Sequence, residues 1–382
     1  MYLTAEEEKI LDGEQGETLQ KSMEILVAIG KIFDADRLIP IKSAQVSGVS
    51  YQNIGDSGIE WFENLKGKVR VPSLINPAGM DLDKWKEMGI ESEFARKQLK
   101  IISVFRRLGF RIECTCTPYY ILTPEKGDHI AWAESSAVIY ANAVIGAMTN
   151  REGGPSALAA AMVGKTPRFG MHIKEKRAPH IRVEVNRKLK DHEFPKVGYW
   201  MGKEIENKIP LINFKGKVTD INLRDFGAAL ASTGGQPIFH VEGVTPEWKD
   251  FHLPEESIYV EDFDVESGCS EADLVAIGCP HLSGKELRKI AQMVSQPLKK
   301  DMWIFTSRFI KNKNMDAVAK LEKMGAKVFT DTCMVVSPAT RNYRCIMVNS
   351  GKAFCYLPKL ASTEVIFKPL KECIQEALGN ED

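Results

Sequence analysis

Short β-rich apolar runs alternate along the chain with longer stretches whose apolar residues recur every three to four positions. The runs LIPIKSAQVSG (38–48), KVRVPSLINP (68–77) and GFRIECTCTP (109–118) each read as a strand entering a turn. Residues 93–109 carry Ile101, Ile102, Phe105 and Leu108 at helical spacing, which is the apolar stripe of an amphipathic helix. The stretch WAESSAVIYANAVIGAMTN is apolar on nearly every side and predicts a central helix. Beyond residue 272 the alternation is cleaner. DLVAIGCP, DMWIFTSR and AKVFTDTC predict strands, and GKELRKIAQMVSQ and MDAVAKLEKMG predict helices between them. YRCIMVNSGKAFCYLP reads as extended apolar runs meeting at Gly351 and Lys352. A βαβ series folds as a largely parallel sheet with helices on both faces. The fold class is therefore α/β, with two regions expected, 1–205 and 206–382, and the basic stretch from His172 to Lys196 bridging two lobes.

Composition narrows the choice of partners. The chain is 382 residues long, 44% hydrophobic and 27% charged, a globular balance with length for two or three cores. Lys+Arg and Asp+Glu are both 51, so zero net charge argues against nucleic acid as the main partner. Thr4 and Glu7 form a capping box opening a helix, and three consecutive glutamates there exclude a secretory signal. No apolar run approaches the ~20 residues that span a bilayer. A cytoplasmic protein without a membrane partner is expected.

The eight cysteines, at 114, 116, 269, 279, 333, 345, 355 and 373, bear on chemistry. In a reducing compartment, metal binding or catalysis is favoured over disulfides, and most cysteines remain core residues. Cys116, Cys279 and Cys333 fall at or just past the C-terminal ends of predicted strands, the edge where open α/β sheets bind ligands. Cys345 and Cys355 lie in apolar runs read as strand, Cys373 on a terminal helix and Cys269 in an acidic loop, as filler. Cys114 shares a face with Cys116 but lies farther from the opening. Pattern alone leaves both a metal site and a coincidence of core cysteines open.

Longer motifs change this balance. SAQVSGVSYQNIG (43–55), ECTCTPYY (113–120), residues 131–170, HVEGVTPE (240–247), IGCPH (277–281) and VNSGKAFCY (348–356) together resemble the aconitase X family, over essentially the whole chain and on its two-subunit branch. The resemblance implies an aconitase-like fold of several βαβ lobes around a central iron–sulfur cleft. It also implies a hydro-lyase that converts (R)-5-phosphomevalonate to trans-anhydromevalonate 5-phosphate in the archaeal mevalonate route to isoprenoids. By motif, Cys116, Cys279 and Cys333 correspond to ligands of a [4Fe-4S] cluster, which becomes [3Fe-4S] when the open iron is lost. Gly48, Val49, Ser50, Asn76, Pro77, Ser135, Ser136 and Lys352 correspond to substrate-holding positions.

That chemistry suits these residue types. Four cysteines close a cubane, whereas three leave one iron open to a substrate hydroxyl. Gly48 permits close backbone approach to an anion, though an ordinary tight turn would also explain it. Asn76 and Pro77 end a strand, and Ser135 and Ser136 begin the central helix, where a cap alone would explain one serine. Lys352 is a cation for a carboxylate or phosphate, or a solvated hairpin tip. Arg151 and Glu152, in a glycine-rich turn, are expected to shape the pocket. No residue forms a convincing activated base, and lone histidines such as His240 and His281 read as structural. Aconitase-type enzymes supply a serine from a swivelling domain. No such domain is recognised here, so a small partner subunit is expected to carry it, in a heterodimer. The competing readings are a cis-3-hydroxy-L-proline dehydratase of the same family, a zinc-binding structural protein using Cys114, Cys116, Cys279 and His281, and an RNA-binding regulator. A nicotinamide dehydrogenase would need the Gly-x-Gly-x-x-Gly loop that is missing.

Overall fold

The computed structural model describes residues 1–265 and 267–379. The N-terminal capping box forms as expected: the Thr4 side chain accepts from the Glu7 N–H and Glu7 answers to the Thr4 N–H, opening the helix Ala5–Leu11. The helix Ser92–Arg107 buries Ile101, Ile102 and Phe105, with Leu108 buried just beyond it. Each such side chain contributes about 1.5–3 kcal/mol by leaving water.

Among the described residues, three parallel sheets organise the fold. In the first, Ala44–Val46 lies between Ser73–Ile75 and Ala131–Trp132. A short antiparallel pair, Leu38–Pro40 with Lys165–Pro167, adjoins it. The second sheet runs in the order His240–Val241, Pro210–Lys215, Ile181–Lys188, Ser257–Tyr259. It draws strands from both sides of residue 205, so one core spans the division expected there. The third has five strands in the order Lys327–Phe329, Met302–Thr306, Leu274–Leu282, Cys345–Val348, Glu364–Phe367. Residues 380–382, the end of the expected C-terminal region, lie outside the described residues.

Strand order sets where a ligand can bind. In the first sheet the strand that comes first in the chain is central, and the next two lie on either side of it. In the third sheet Leu274–Leu282 is central, with Met302–Thr306 and then Lys327–Phe329 on one side and the later Cys345–Val348 and Glu364–Phe367 on the other. In both, connections run to opposite sides of the central strand and open a crevice at its C-terminal end. The two crevices adjoin each other. Ala78, beyond Ser73–Ile75, makes a parallel bridge with Thr332, beyond Lys327–Phe329, and its N–H donates to the Asp331 carbonyl at 2.7 Å.

Four expectations are corrected. Residues 109–118 do not form a strand: only Cys114 pairs, in an isolated bridge with Ile75. Lys352 is not at a hairpin tip, because Ser350 caps a helix, Gly351–Leu360, whose first turn contains it. Cys355 is consequently helical rather than extended. Cys269 and Cys345 are joined in a disulfide, against the expectation of free thiols. Among the described residues no helix is long and apolar enough to cross a membrane.

Candidate active site

The loops that leave the first sheet carry most of the polar candidates. Gly48, Val49 and Ser50 follow the central strand, Asn76 and Pro77 follow Ser73–Ile75, and Ser135 and Ser136 follow Ala131–Trp132. Gly48 has φ +76°, and a Cβ there would meet nothing within 4 Å. Backbone conformation, not crowding, calls for glycine at this position. Gln98, fully buried on the long helix, joins two of the loops. Its Oε1 accepts from Tyr51 N at 3.0 Å and Gly79 N at 3.1 Å, and its Nε2 donates to Val49 O at 2.9 Å. Ser50 Oγ and Asn76 Oδ1 are buried without a hydrogen-bond partner. Such atoms carry an uncompensated desolvation cost, which a bound ligand would remove.

Cys116, Cys279 and Cys333 are free and buried. Cys279 lies on the central strand of the third sheet, where the ladder shifts register between Ile277 and Leu282. Cys333 lies beyond the edge strand of that sheet. Burial pushes all three thiols up, Cys279 to about 12, and Lys352 opposes this at each of them. The thiols also feel one another: Cys279 and Cys333 both act on Cys116, and Cys333 acts on Cys279. Cys114 faces elsewhere. Its charged neighbours are Asp331, Arg308, Glu113 and Asp81, and it packs in the core around the first sheet, with Val46 and Ile75. The two cysteines of the CTC run therefore do not share one environment, because the segment is irregular and does not keep strand alternation.

A buried ion pair lies beside the thiols. Lys352 Nζ pairs with Glu134 Oε1, both side chains under a tenth exposed. Burial alone would raise the Glu134 pKa, but Lys352 and the bonds from Ser136 and the Ala137 N–H outweigh it, and the carboxylate is held below its ordinary range. Burial alone would lower Lys352; Glu134, Cys279 and Cys116 raise it instead. Ser136 Oγ donates to Glu134 Oε2 at 2.6 Å and Ser135 Oγ to Oε1 at 3.2 Å. Glu134 also caps the helix Ser135–Tyr140 by accepting from Ala137 N at 2.7 Å. This carboxylate, which the sequence analysis does not single out, occupies the N-terminal end of the helix that Ser135 and Ser136 begin. Its signal was an acidic residue one position before two serines and an apolar run.

His281 stands among the cysteine-bearing segments. Its N–H donates to Cys116 Sγ at 3.2 Å, and its ring meets Thr115 Oγ1 at 3.0 Å and Thr332 O at 2.8 Å. His240 Nε2 meets the Arg177 carbonyl at 2.8 Å and its ring packs against Phe251, as a structural histidine would. Arg151 Nη2 lies 3.5 Å from Tyr356 OH, whose ring is 5.9 Å from Lys352 Nζ, so the glycine-rich turn borders the same region. Among the described residues no group of three or more His, Cys, Asp or Glu side chains is arranged to hold a single metal ion. Three mutually influencing thiols beside a cation, with unpartnered Ser50 and Asn76 atoms on the adjoining loops, fit a larger thiolate-ligated group with an open face.

Residues 1–175 match the aconitase X first domain, 179–270 the second and 272–379 the third. The phosphomevalonate dehydratase large subunit of Methanosarcina mazei is 49% identical over 391 residues, covering 100% of this chain and 98% of that protein. The Methanocaldococcus jannaschii protein of the same name is 45% identical over 401 residues, covering 98% and 100%. The cis-3-hydroxy-L-proline dehydratase of Pseudomonas aeruginosa is 30% identical over 411 residues, covering 99% of this chain but 70% of its own. The crystal structure of Thermococcus kodakaraensis aconitase X, in its holo-form, superposes with a TM-score of 0.91 at 42% identity, covering 99% of this chain and 100% of that one. This chain belongs to the aconitase X family.

Proposed function

We propose that this chain is the large, cluster-binding subunit of a hydro-lyase that dehydrates (R)-5-phosphomevalonate to trans-anhydromevalonate 5-phosphate, in the mevalonate route to isoprenoids. The observation that carries the reading is the meeting of Cys116, Cys279, Cys333 and the Lys352–Glu134 pair at two adjoining strand-end crevices. Near full-length similarity to proteins named phosphomevalonate dehydratase large subunit supports the substrate.

In this reading Cys116, Cys279 and Cys333 hold a [4Fe-4S] cluster, seen as [3Fe-4S] if its open iron is lost. When bound, it supplies a Lewis-acidic iron that accepts the departing hydroxide. The chain's own residues orient the substrate. Lys352 neutralises its carboxylate while Glu134 and Ser136 fix the ammonium's position. Ser50 Oγ and Asn76 Oδ1 gain in the substrate the partners they lack. Gly48, Val49 and Pro77 shape the backbone around it, and Ser135 steadies Glu134. Elimination also removes a carbon-bound proton, and a serine on a small subunit accepts it. The words "large subunit" in the relatives' names, and the unmatched part of the hydroxyproline enzyme, support such a partner. We place the heterodimer in the cytoplasm, without nucleic acid or membrane partners.

Co-expression with the small subunit tests this reading. The complex should convert phosphomevalonate and leave cis-3-hydroxy-L-proline untouched, and the large chain alone should convert neither. Conversion of hydroxyproline, or full turnover by the chain alone, would overturn it.

A further inference from the structure

His281 is fully buried and reaches all three cysteine segments through different atoms. Two peptide bonds tie it to Cys279 through Pro280. Its backbone N–H meets Cys116 Sγ. Its ring spans from Thr115, beside Cys116, to the carbonyl of Thr332, beside Cys333. The direction of each bond follows from chemistry. A carbonyl only accepts, so Nε2 carries the ring proton, and in the neutral ring Nδ1 then accepts from the Thr115 hydroxyl. Having donated there, Thr115 Oγ1 is left to accept from the Thr117 N–H and the Thr117 hydroxyl, both at 3.1 Å. Gln45 continues the chain. Its Nε2 donates to Thr115 O at 2.9 Å, and its Oε1 accepts from Glu134 N at 3.3 Å. The network leads from the Cys333 segment, through one imidazole, to the residue that holds Lys352.

We propose that His281 is the positioning residue of the cysteine triad. Its ring fixes the spacing of the Thr115–Cys116 and Thr332–Cys333 segments, and its N–H aims at the Cys116 sulfur. The inference rests on the cluster reading above and adds to it a residue outside the ligand set. Outer partners of this kind typically change metal affinity by about 10- to 100-fold. A hydrogen bond to a ligand sulfur also tunes the electronic state of the group it holds.

The test uses the full chain, purified anaerobically and reconstituted with iron and sulfide, with iron retention followed against a chelator and the EPR spectrum recorded. His281→Ala should lose iron at least ~10-fold faster than wild type and give an altered spectrum. His281→Gln, whose amide can still donate towards Thr332 O, should recover part of the retention. Thr115→Val keeps the imidazole but removes the hydroxyl that donates to it and accepts from Thr117, and should speed iron loss at least ~3-fold. It carries the test if His281→Ala does not fold. His281→Ala, or Thr115→Val, with wild-type retention and spectrum would overturn the proposal. Failure of the wild-type chain to take up a cluster would instead overturn the cluster reading on which it rests.

Discussion

Lys352→Ala separates the stability of the site from its function. The substitution leaves Glu134 buried with bonds from Ser135, Ser136 and the Ala137 N–H but no cation. Breaking a buried pair on one side costs about 3–5 kcal/mol. An independent route agrees: if Glu134 takes a proton instead, holding it at pH 7, above its ordinary 4.5, costs roughly 3.4 kcal/mol. The two cases have opposite pH dependence. In the wild type the Glu134 pKa is lowered, so its stabilisation is present above 4.5 and is lost as pH falls through the folded value. In the variant, burial is opposed only by the bonds from Ser136 and the Ala137 N–H and the folded pKa is expected to rise, so stability is greatest below 4.5 and falls as pH increases. The gap between the proteins should therefore be wide at pH 7 and narrow towards pH 4.5. Urea unfolding of the apo chains by circular dichroism measures it without interference from cofactor loss. The double variant Lys352→Met, Glu134→Gln should regain most of the stability. It should still show kcat/KM for phosphomevalonate at least ~10-fold below wild type, since a charge-assisted bond contributes about 1.5–3 kcal/mol. A Lys352→Ala chain with wild-type stability at both pH values would refute the reasoning.

Alanine at Cys116, Cys279 or Cys333 should each abolish visible cluster absorbance after reconstitution, while Cys114→Ala should keep it, because Cys114 faces Asp331 and Arg308 rather than the other thiols. Gln98→Leu strands the N–H groups of Tyr51 and Gly79, at about 1–3 kcal/mol each, and should raise KM for phosphomevalonate while the cluster spectrum survives. Thiol titration of the denatured apo chain should find six free cysteines without reductant and eight with it; eight in both would remove the Cys269–Cys345 disulfide.

The parts of the fold that were legible in the sequence follow local rules. The strand at DLVAIGCP, the edge strand leading to Cys333 and the amphipathic stripe of Ile101, Ile102 and Phe105 each announce themselves by period and flanking turn residues. Lys352 was misplaced because Ala353 to Leu357 is a short apolar, aromatic run, which periodicity cannot distinguish from a strand. The informative residue was Ser350, an N-cap three positions before Ala353, whose N–H it accepts at 3.1 Å. Gln98 was overlooked although it sits on the apolar stripe of its helix, three residues before Ile101, where an uncharged amide signals a buried hydrogen-bonding duty. Glu134 was legible as a helix cap but not as the partner of Lys352, and His281 as a candidate zinc ligand but not as a link to Thr115, because those partners lie 218 and 166 residues away along the chain. The disulfide likewise joins a loop to a strand 76 residues on, a pairing that spacing does not announce.

The central question is whether these three thiols hold an iron–sulfur cluster where phosphomevalonate binds. EPR of the anaerobically reconstituted complex of this chain with its small subunit, recorded with and without phosphomevalonate, tests it most directly. The expected result is a cluster signal that requires Cys116, Cys279 and Cys333 and that changes on addition of phosphomevalonate but not of cis-3-hydroxy-L-proline. A complex without a cluster, or a cluster signal indifferent to phosphomevalonate, would contradict it.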